Sequence, residues 1–153
     1  MGLFNSFFKT TPIEYSFKPK NEQDAWVCIF YACAAIDGDC SQIEIEALSR
    51  TFVDKTIFNG HDTIAYYEKA IEANTKIGGK ALIEKCAEFI AEENKNTVYT
   101  ICCEVVLADG KLDDEEKHIL EFIAEVLNIS DEEAIKIIVV MLHRNKYNKI
   151  IFD

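Results

Sequence analysis

The sequence predicts an all-α domain of about seven helices, arranged as a pseudo-twofold bundle of two repeated helical hairpins. Three observations carry that expectation. Apolar residues recur at helical spacing along nearly the whole chain after residue 20. Only two prolines and six glycines interrupt its 153 residues. The acidic turn "AIDGDCSQIE", Ala35 to Glu44, returns as "VLADGKLDDEE", Val106 to Glu116.

Each element follows from its own residues. Residues 1–20 read as an amphipathic arm ending in "FKPK", with Phe4, Phe7 and Phe8 placed to dock on the body or on a partner. A single domain occupies 21–153. Trp26, Ile29, Phe30 and Cys33 follow the i, i+3, i+4, i+7 rule and set a helix over 21–37. Asp37-Gly38 ends it, and Ser41 opens the next helix, 42–55. Two helices follow, at 62–76 and 79–93, the second striped by Leu82, Cys86, Phe89 and Ile90. Val98, Ile101, Cys102 and Val105 set a helix over 95–109. Ile119, Phe122, Ile123 and Val126 set one over 114–127. Ser130 with Glu133 is a capping-box signature, so the last helix runs 131–144. Its run "IIVVML" has the composition of a buried strand, but the cap and the helical context favour a buried helix.

A shift of 72 residues superposes Asp37 on Asp109, Gly38 on Gly110, Ser41 on Asp113 and Glu44 on Glu116. It also pairs Ile29 with Ile101 and Leu48 with Leu120. The hairpins 21–55 and 95–127 therefore read as copies, with two helices between them.

Composition narrows the function. The net charge is −11 and no Lys/Arg cluster occurs. Such a surface repels phosphate backbones, which excludes nucleic acid and favours divalent cations or a basic protein face. The six cysteines, at 28, 33, 40, 86, 102 and 103, form no C-x-x-C pair and mostly sit in apolar helical stripes. They read as reduced thiols in a cytosolic core, with Cys40 in the first turn the one candidate for an exposed thiol. "MGLFNSFFK" lacks the features of a signal peptide, though it fits the loose myristoylation pattern at Gly2 and Ser6. The longest apolar run, 25–36, is far short of the roughly 20 residues that span a bilayer. His61, His118 and His143 are scattered without metal-ligand spacing. "GGK" at Gly78–Lys80 lacks the strand, upstream glycine and Ser/Thr of a phosphate loop and reads as a bend between helices. No catalytic constellation appears, so an enzyme is not expected.

The doubled turn admits two readings. As a folding device, Gly38 and Gly110 end helices, Ser41 and Asp113 cap the next ones, and Glu44 and Glu116 complete capping boxes. Asp37 and Asp109 fit this less well, because a carboxylate at a helix C-terminus faces the negative end of the dipole at a cost of roughly 0.3–1 kcal/mol. As a metal site, Asp and Glu seven apart aim oxygens into one crevice, and hard cations such as Ca²⁺, Mg²⁺ or Mn²⁺ want oxygen ligands. Neither turn is an EF-hand. With Gly110 at loop position 6, positions 1 and 3 become Val105 and Leu107, and Cys33 and Ala35 fail in the first copy. Each turn supplies two principal carboxylates; the two together supply four if the bundle brings them close.

At this point the chain resembles the tellurite-resistance TerB family. The Phe-rich "LFNSFFK" opening, the doubled D-G-x-x-[SD]-x-x-E hairpin, the continuation "KHILEFIAEVLNIS" and the middle stretch "FNGHDTIAYYEKAIEANTKIGGKALIEK" carry the likeness. The first motif departs from the family pattern at Ile36 and Cys40. The resemblance implies a helical bundle in the cytoplasm, and allows a peripheral position at the inner membrane face. It implies a non-enzymatic divalent-metal-binding or sensing adaptor of a chemical-stress system, with Asp37, Glu44, Asp109 and Glu116 as ligands and Asp39 and Asp113 as weaker additions. A TerC-like membrane protein and TerD-like calcium-binding proteins are its implied partners. The same domain occurs in the DjlA membrane co-chaperone. A metal-free interaction scaffold or co-chaperone-like domain, its acidic turns serving as caps alone, is therefore the alternative.

Overall fold

The computed structural model describes residues 15–36 and 41–148. Among them are seven α-helices and two short 3₁₀ turns, and no strand. The helices are α1 Glu22–Ala34, α2 Gln42–Ser49, α3 Thr63–Ile77, α4 Gly79–Ala87, α5 Lys95–Val106, α6 Asp114–Val126 and α7 Asp131–Asn145. The N-terminal arm through Glu14, with Gly2, Phe4, Phe7 and Phe8, lies outside the described residues, as do residues 37–40 and 149–153.

Helix α1 forms the centre of the molecule. Every residue from Asp24 to Cys33 is buried, because α1 packs against α2, α3, α4 and α5. Asn21 starts it by accepting the Asp24 N–H. An all-round apolar helix is stable only when enclosed in this way. At its first turns Trp26 meets Phe30 and Phe58 edge to face, at centroid distances of 5.9 and 5.6 Å. Phe52 stacks obliquely on both Phe30 and Phe58 at 5.0 Å.

That aromatic cluster explains why α2 is shorter than expected. The helix expected over 42–55 stops at Ser49. Ser49 Oγ donates to the Ile45 carbonyl at 2.9 Å and Thr51 Oγ1 to the Leu48 carbonyl at 2.7 Å. These bonds compete with backbone N–H groups for the same acceptors. The chain tightens into i→i−3 bonds, Thr51 N–H to Leu48 and Phe52 N–H to Ser49, and turns Phe52 into the core.

Helix α3 begins at Asp62, whose side chain accepts the Ala65 N–H, and ends at Gly78 with φ +84°. The "GGK" stretch is thus the bend between α3 and α4. Helix α4 also ends early, at Ala87 rather than 93, as Phe89 and Ile90 N–H groups turn back onto Cys86 and Ala87 and Ile90 is buried.

Helix α6 closes in a Schellman motif: Ile129 N–H bonds the Ala124 carbonyl at 2.8 Å, Asn128 N–H bonds Glu125 at 3.0 Å, and Asn128 adopts φ +59°. Ser130 then caps α7 by accepting the Glu133 N–H at 3.2 Å, so the last helix starts where the capping signature places it.

Helix α7 corrects one expectation. It is a helix, but it is not buried. Of its fifteen residues only Ala134 and Asn145 are inside. It packs chiefly on α5, and Ile135, Val139 and Val140 are 59%, 45% and 59% exposed. Periodicity and composition report that a segment is apolar; they do not report how many neighbours it has.

Candidate functional site

The second acidic turn joins α5 to α6. Helix α5 ends at Val106, three residues before the expected end, with the Leu107 N–H closing on the Cys103 carbonyl. Asp109 therefore lies in the loop, not on the last helical turn. One of its oxygens accepts the Lys111 N–H at 2.9 Å, an Asx turn that holds the loop. This bond offsets the dipole penalty expected for the carboxylate. Gly110 follows at φ +77°, with its N–H on the Leu107 carbonyl.

Asp113 and Glu116 then form a reciprocal capping box. Asp113 Oδ1 accepts the Glu116 N–H at 2.8 Å and Glu116 Oε1 accepts the Asp113 N–H at 3.0 Å. The first copy repeats this with Ser41 and Glu44. Ser41 Oγ accepts the Glu44 N–H at 3.2 Å and Glu44 Oε1 accepts the Ser41 N–H at 3.4 Å. Each cap stabilises its helix by about 1 kcal/mol. Asp37, Asp39 and Cys40 lie outside the described residues.

The end of α7 reaches back to hold the second turn. Buried Asn145 donates from Nδ2 to the Leu107 carbonyl at 3.0 Å and to Glu104 Oε2 at 3.3 Å. Asn148 Nδ2 donates to the Ala108 carbonyl at 3.3 Å. Arg144 pairs with the same Glu104 at 3.7 Å. A Cβ on Gly110 would sit 2.6 Å from the Asn145 carbonyl oxygen, so only glycine fits this approach. The sequence reading missed Asn145 and Asn148, which carry no local signal.

Helices α1 and α5 lie side by side and start together. Asn94, just before α5, donates to Glu22 Oε2 at 2.7 Å, at the start of α1. These are residues that the 72-residue shift superposes. Further along, the Cys33 thiol of α1 adjoins the Cys102 thiol of α5 in the core. Helices that meet at their starts and adjoin again further along run in the same direction, so α1 and α5 end on the same side.

Among the described residues no group of three or more His, Cys, Asp or Glu converges as a metal cage. Asp109, Asp113 and Glu116 offer hard oxygens, but each engages a backbone N–H, and the Leu107 and Ala108 carbonyls face asparagine amides. The described part of the site falls short of a cage by itself.

Other polar and reactive groups have structural partners. Asp24, fully buried, accepts the Lys20 N–H at 2.8 Å, the Cys28 thiol at 3.5 Å and Lys69 Nζ at 3.4 Å. The sequence reading missed it, since an Asp in a first helical turn ordinarily faces water. Cys28, Cys33, Cys86, Cys102 and Cys103 are buried free thiols, as expected. The Cys28 thiol is pushed far up by its hydrogen bond with Cys86 and by burial. Burial, with Cys33 alongside, raises Cys102 well above the ordinary range and Cys103 to about 12. Protonated buried thiols are neither metal ligands nor nucleophiles at neutral pH. His61 Nδ1 hydrogen-bonds the Tyr66 hydroxyl at 2.8 Å.

No helix among the described residues is long and apolar enough to cross a membrane. Neither the curated proteins nor the solved structures offer a match to this chain. The family model described as "Tellurite resistance protein TerB" matches residues 23–138. That span runs from the first turn of α1 into α7 and takes in both acidic turns, and the chain belongs to the TerB family.

Proposed function

We propose that this protein is a non-enzymatic adaptor of a tellurite-resistance-type stress response. It works by binding other proteins, in the cytoplasm and at the inner face of the membrane. Its partners are a TerC-like membrane protein and TerD-like calcium-binding proteins. One observation carries this reading: α7 packs on the body chiefly through α5 and keeps Ile135, Val139 and Val140 in solvent. Each is already about half buried, so full burial by a partner adds roughly 1 kcal/mol per side chain. Glu44, Asp109, Asp113 and Glu116, by contrast, each bond a backbone N–H of their own turn.

The test is reconstitution from purified components. The full chain, a detergent-solubilised TerC-like protein and a TerD-like protein are mixed and run by analytical size exclusion. Co-elution with either partner supports the adaptor; elution of every component alone rejects it.

A second reading adds a divalent cation, Ca²⁺, Mg²⁺ or Mn²⁺, held jointly by Asp37, Glu44, Asp109 and Glu116, with Asp39 and Asp113 at the edge. The shared exit side of α1 and α5 favours it, together with the five acidic residues between Asp109 and Glu116. Calorimetry with Ca²⁺, Mg²⁺, Mn²⁺ and Zn²⁺ on the wild type and on Asp109→Asn/Glu116→Gln tests it. Heat present in the first and lost in the second supports the cation. No heat at millimolar ion leaves the turns as caps.

A further inference from the structure

Helices α6 and α7 diverge from their Asn128 joint and leave a groove of about 870 Å³ between them. Its apolar lining comes from Ile135, Ile138 and Val139 on α7 and from Leu112 and Ala124 on the opposite wall. Its charged rim consists of Glu121, Glu125 and Asp131, with Lys117 as the single base. Lys117 is engaged by Asp114 at 3.6 Å. None of the three rim acids makes an ion pair among the described residues. Glu121 and Glu125 stand four apart on one helix face, an arrangement of like charges that is unfavourable without a cation nearby.

We infer that this groove receives an amphipathic helix of a protein partner that carries Lys or Arg beside its apolar face. The inference rests on the adaptor reading above and names the surface and the chemistry of its occupant. Shape argues for a helix. The wall from Lys117 to Asn128 is about 16 Å long at 1.5 Å per residue, room for about three helical turns. Two helices with an apolar trough between them accept a third by its i, i+3, i+4 and i+7 side chains. Charge argues for a basic flank, because three unpaired carboxylates border the trough. Charge also argues against a second copy, which would bring the same acidic rim and its own net charge of −11.

The probe is a fluorescein-labelled peptide of about 18 residues, with Leu at i, i+3, i+4 and i+7 and Lys at the flanking positions. Anisotropy is titrated with the full chain. Saturable binding is expected, weakened about tenfold or more by Ile135→Asp/Val139→Asp and again by Glu121→Lys/Glu125→Lys. Those side chains are exposed, so the melting temperatures should stay near wild type. Exchanging Lys for Glu in the peptide should abolish binding, and rising salt should weaken it. Wild-type affinity retained by both variants, or no binding by the wild type, overturns the proposal. So does a tenfold gain in affinity on Phe4→Glu/Phe7→Glu/Phe8→Glu, which would make the chain's own arm the occupant. A wild-type dimer that Ile135→Asp dissociates in sedimentation would make a second copy the occupant and overturns it equally. If the reconstituted partners bind wild type and groove variants alike, the groove is wrong and the adaptor stands. If they bind neither while the peptide binds only wild type, the groove stands and those partners are wrong.

Discussion

Gly110→Ala isolates the contact that ties the second acidic turn to the end of α7. Two costs arise at this position. The first is conformational, since an L-residue at φ +77° sits in the left-handed region, at about 1 kcal/mol. The second is steric. The new Cβ would lie 2.6 Å from the Asn145 carbonyl oxygen, 2.8 Å from its carbon and 2.9 Å from Lys146 Cα. These are backbone atoms, so no rotamer relieves the clash; the turn or α7 must shift. Overpacking of this kind costs about 1–3 kcal/mol. Gly60 supplies the control, with φ +78° and open space where its Cβ would go. Gly60→Ala should therefore cost about 1 kcal/mol and Gly110→Ala about 2–4 kcal/mol. Urea denaturation followed by far-UV circular dichroism, with equal m-values in both variants, measures the difference. Because α7 forms one wall of the groove, Gly110→Ala should also disturb amide resonances from Ile135 to Asn145. Equal destabilisation by the two substitutions would refute the close approach, and with it the claim that α7 secures the turn.

Three further expectations concern the core and the caps. Asp113→Ala and Ser130→Ala should each cost about 1 kcal/mol by urea denaturation, since each removes the acceptor for a helix N-terminal N–H. Asp24→Ala should cost about 1–3 kcal/mol, because the Lys20 N–H and the Cys28 thiol lose their acceptor while the half-exposed Lys69 ammonium falls back on water; thermal unfolding reads it. The buried thiols should make stability fall on the alkaline side. Their folded pKa lies above the ordinary 9.0, so the unfolded chain releases protons first, and Cys103 contributes a loss from pH 9 up to about 12. Denaturation midpoints between pH 8 and 11 would show the decline, and a flat profile would contradict the burial of these thiols.

The starts of the helices were legible in the sequence because capping is local. Ser41, Asp62, Asp113 and Ser130 each satisfy an N–H within three residues of themselves, and all seven starts fall within one residue of expectation. The ends were not legible to the same degree. Helices α2, α4 and α5 stop short because Phe52, Ile90 and Leu107 must turn inward, and what they pack against is far away in sequence. The site shows the same division. The Glu44 and Glu116 caps were readable from spacing alone. Asn145 and Asn148, about 40 residues from the carbonyls they hold, were not. Burial of α7 was misjudged for a related reason: an apolar run implies a partner surface but does not say that the surface belongs to the same chain.

The cap and the cation make opposite demands on the same carboxylates, and conservative substitution separates them. Glu116→Gln keeps an oxygen for the Asp113 N–H, since Gln serves in a capping box as Glu does. It removes one charge from the positive end of the α6 dipole, a loss of about 0.3–1 kcal/mol. Asp109→Asn keeps the acceptor for the Lys111 N–H and removes a charge from a crowded acidic loop, which offsets part of that loss. With caps alone, the double variant should lie within about 1 kcal/mol of wild type, and the gap should be the same in EDTA and in excess Ca²⁺ or Mn²⁺. With a bound ion, wild type alone gains stability as RT ln(1 + [L]/Kd), about 1.4 kcal/mol for each tenfold excess over Kd. Thermal unfolding across a series of ion concentrations therefore distinguishes the two. A gap that widens with ion concentration demands a cation at the turns. A constant gap means that the repeated Asp-Gly turn serves this protein as a helix start, with the binding done elsewhere on its surface.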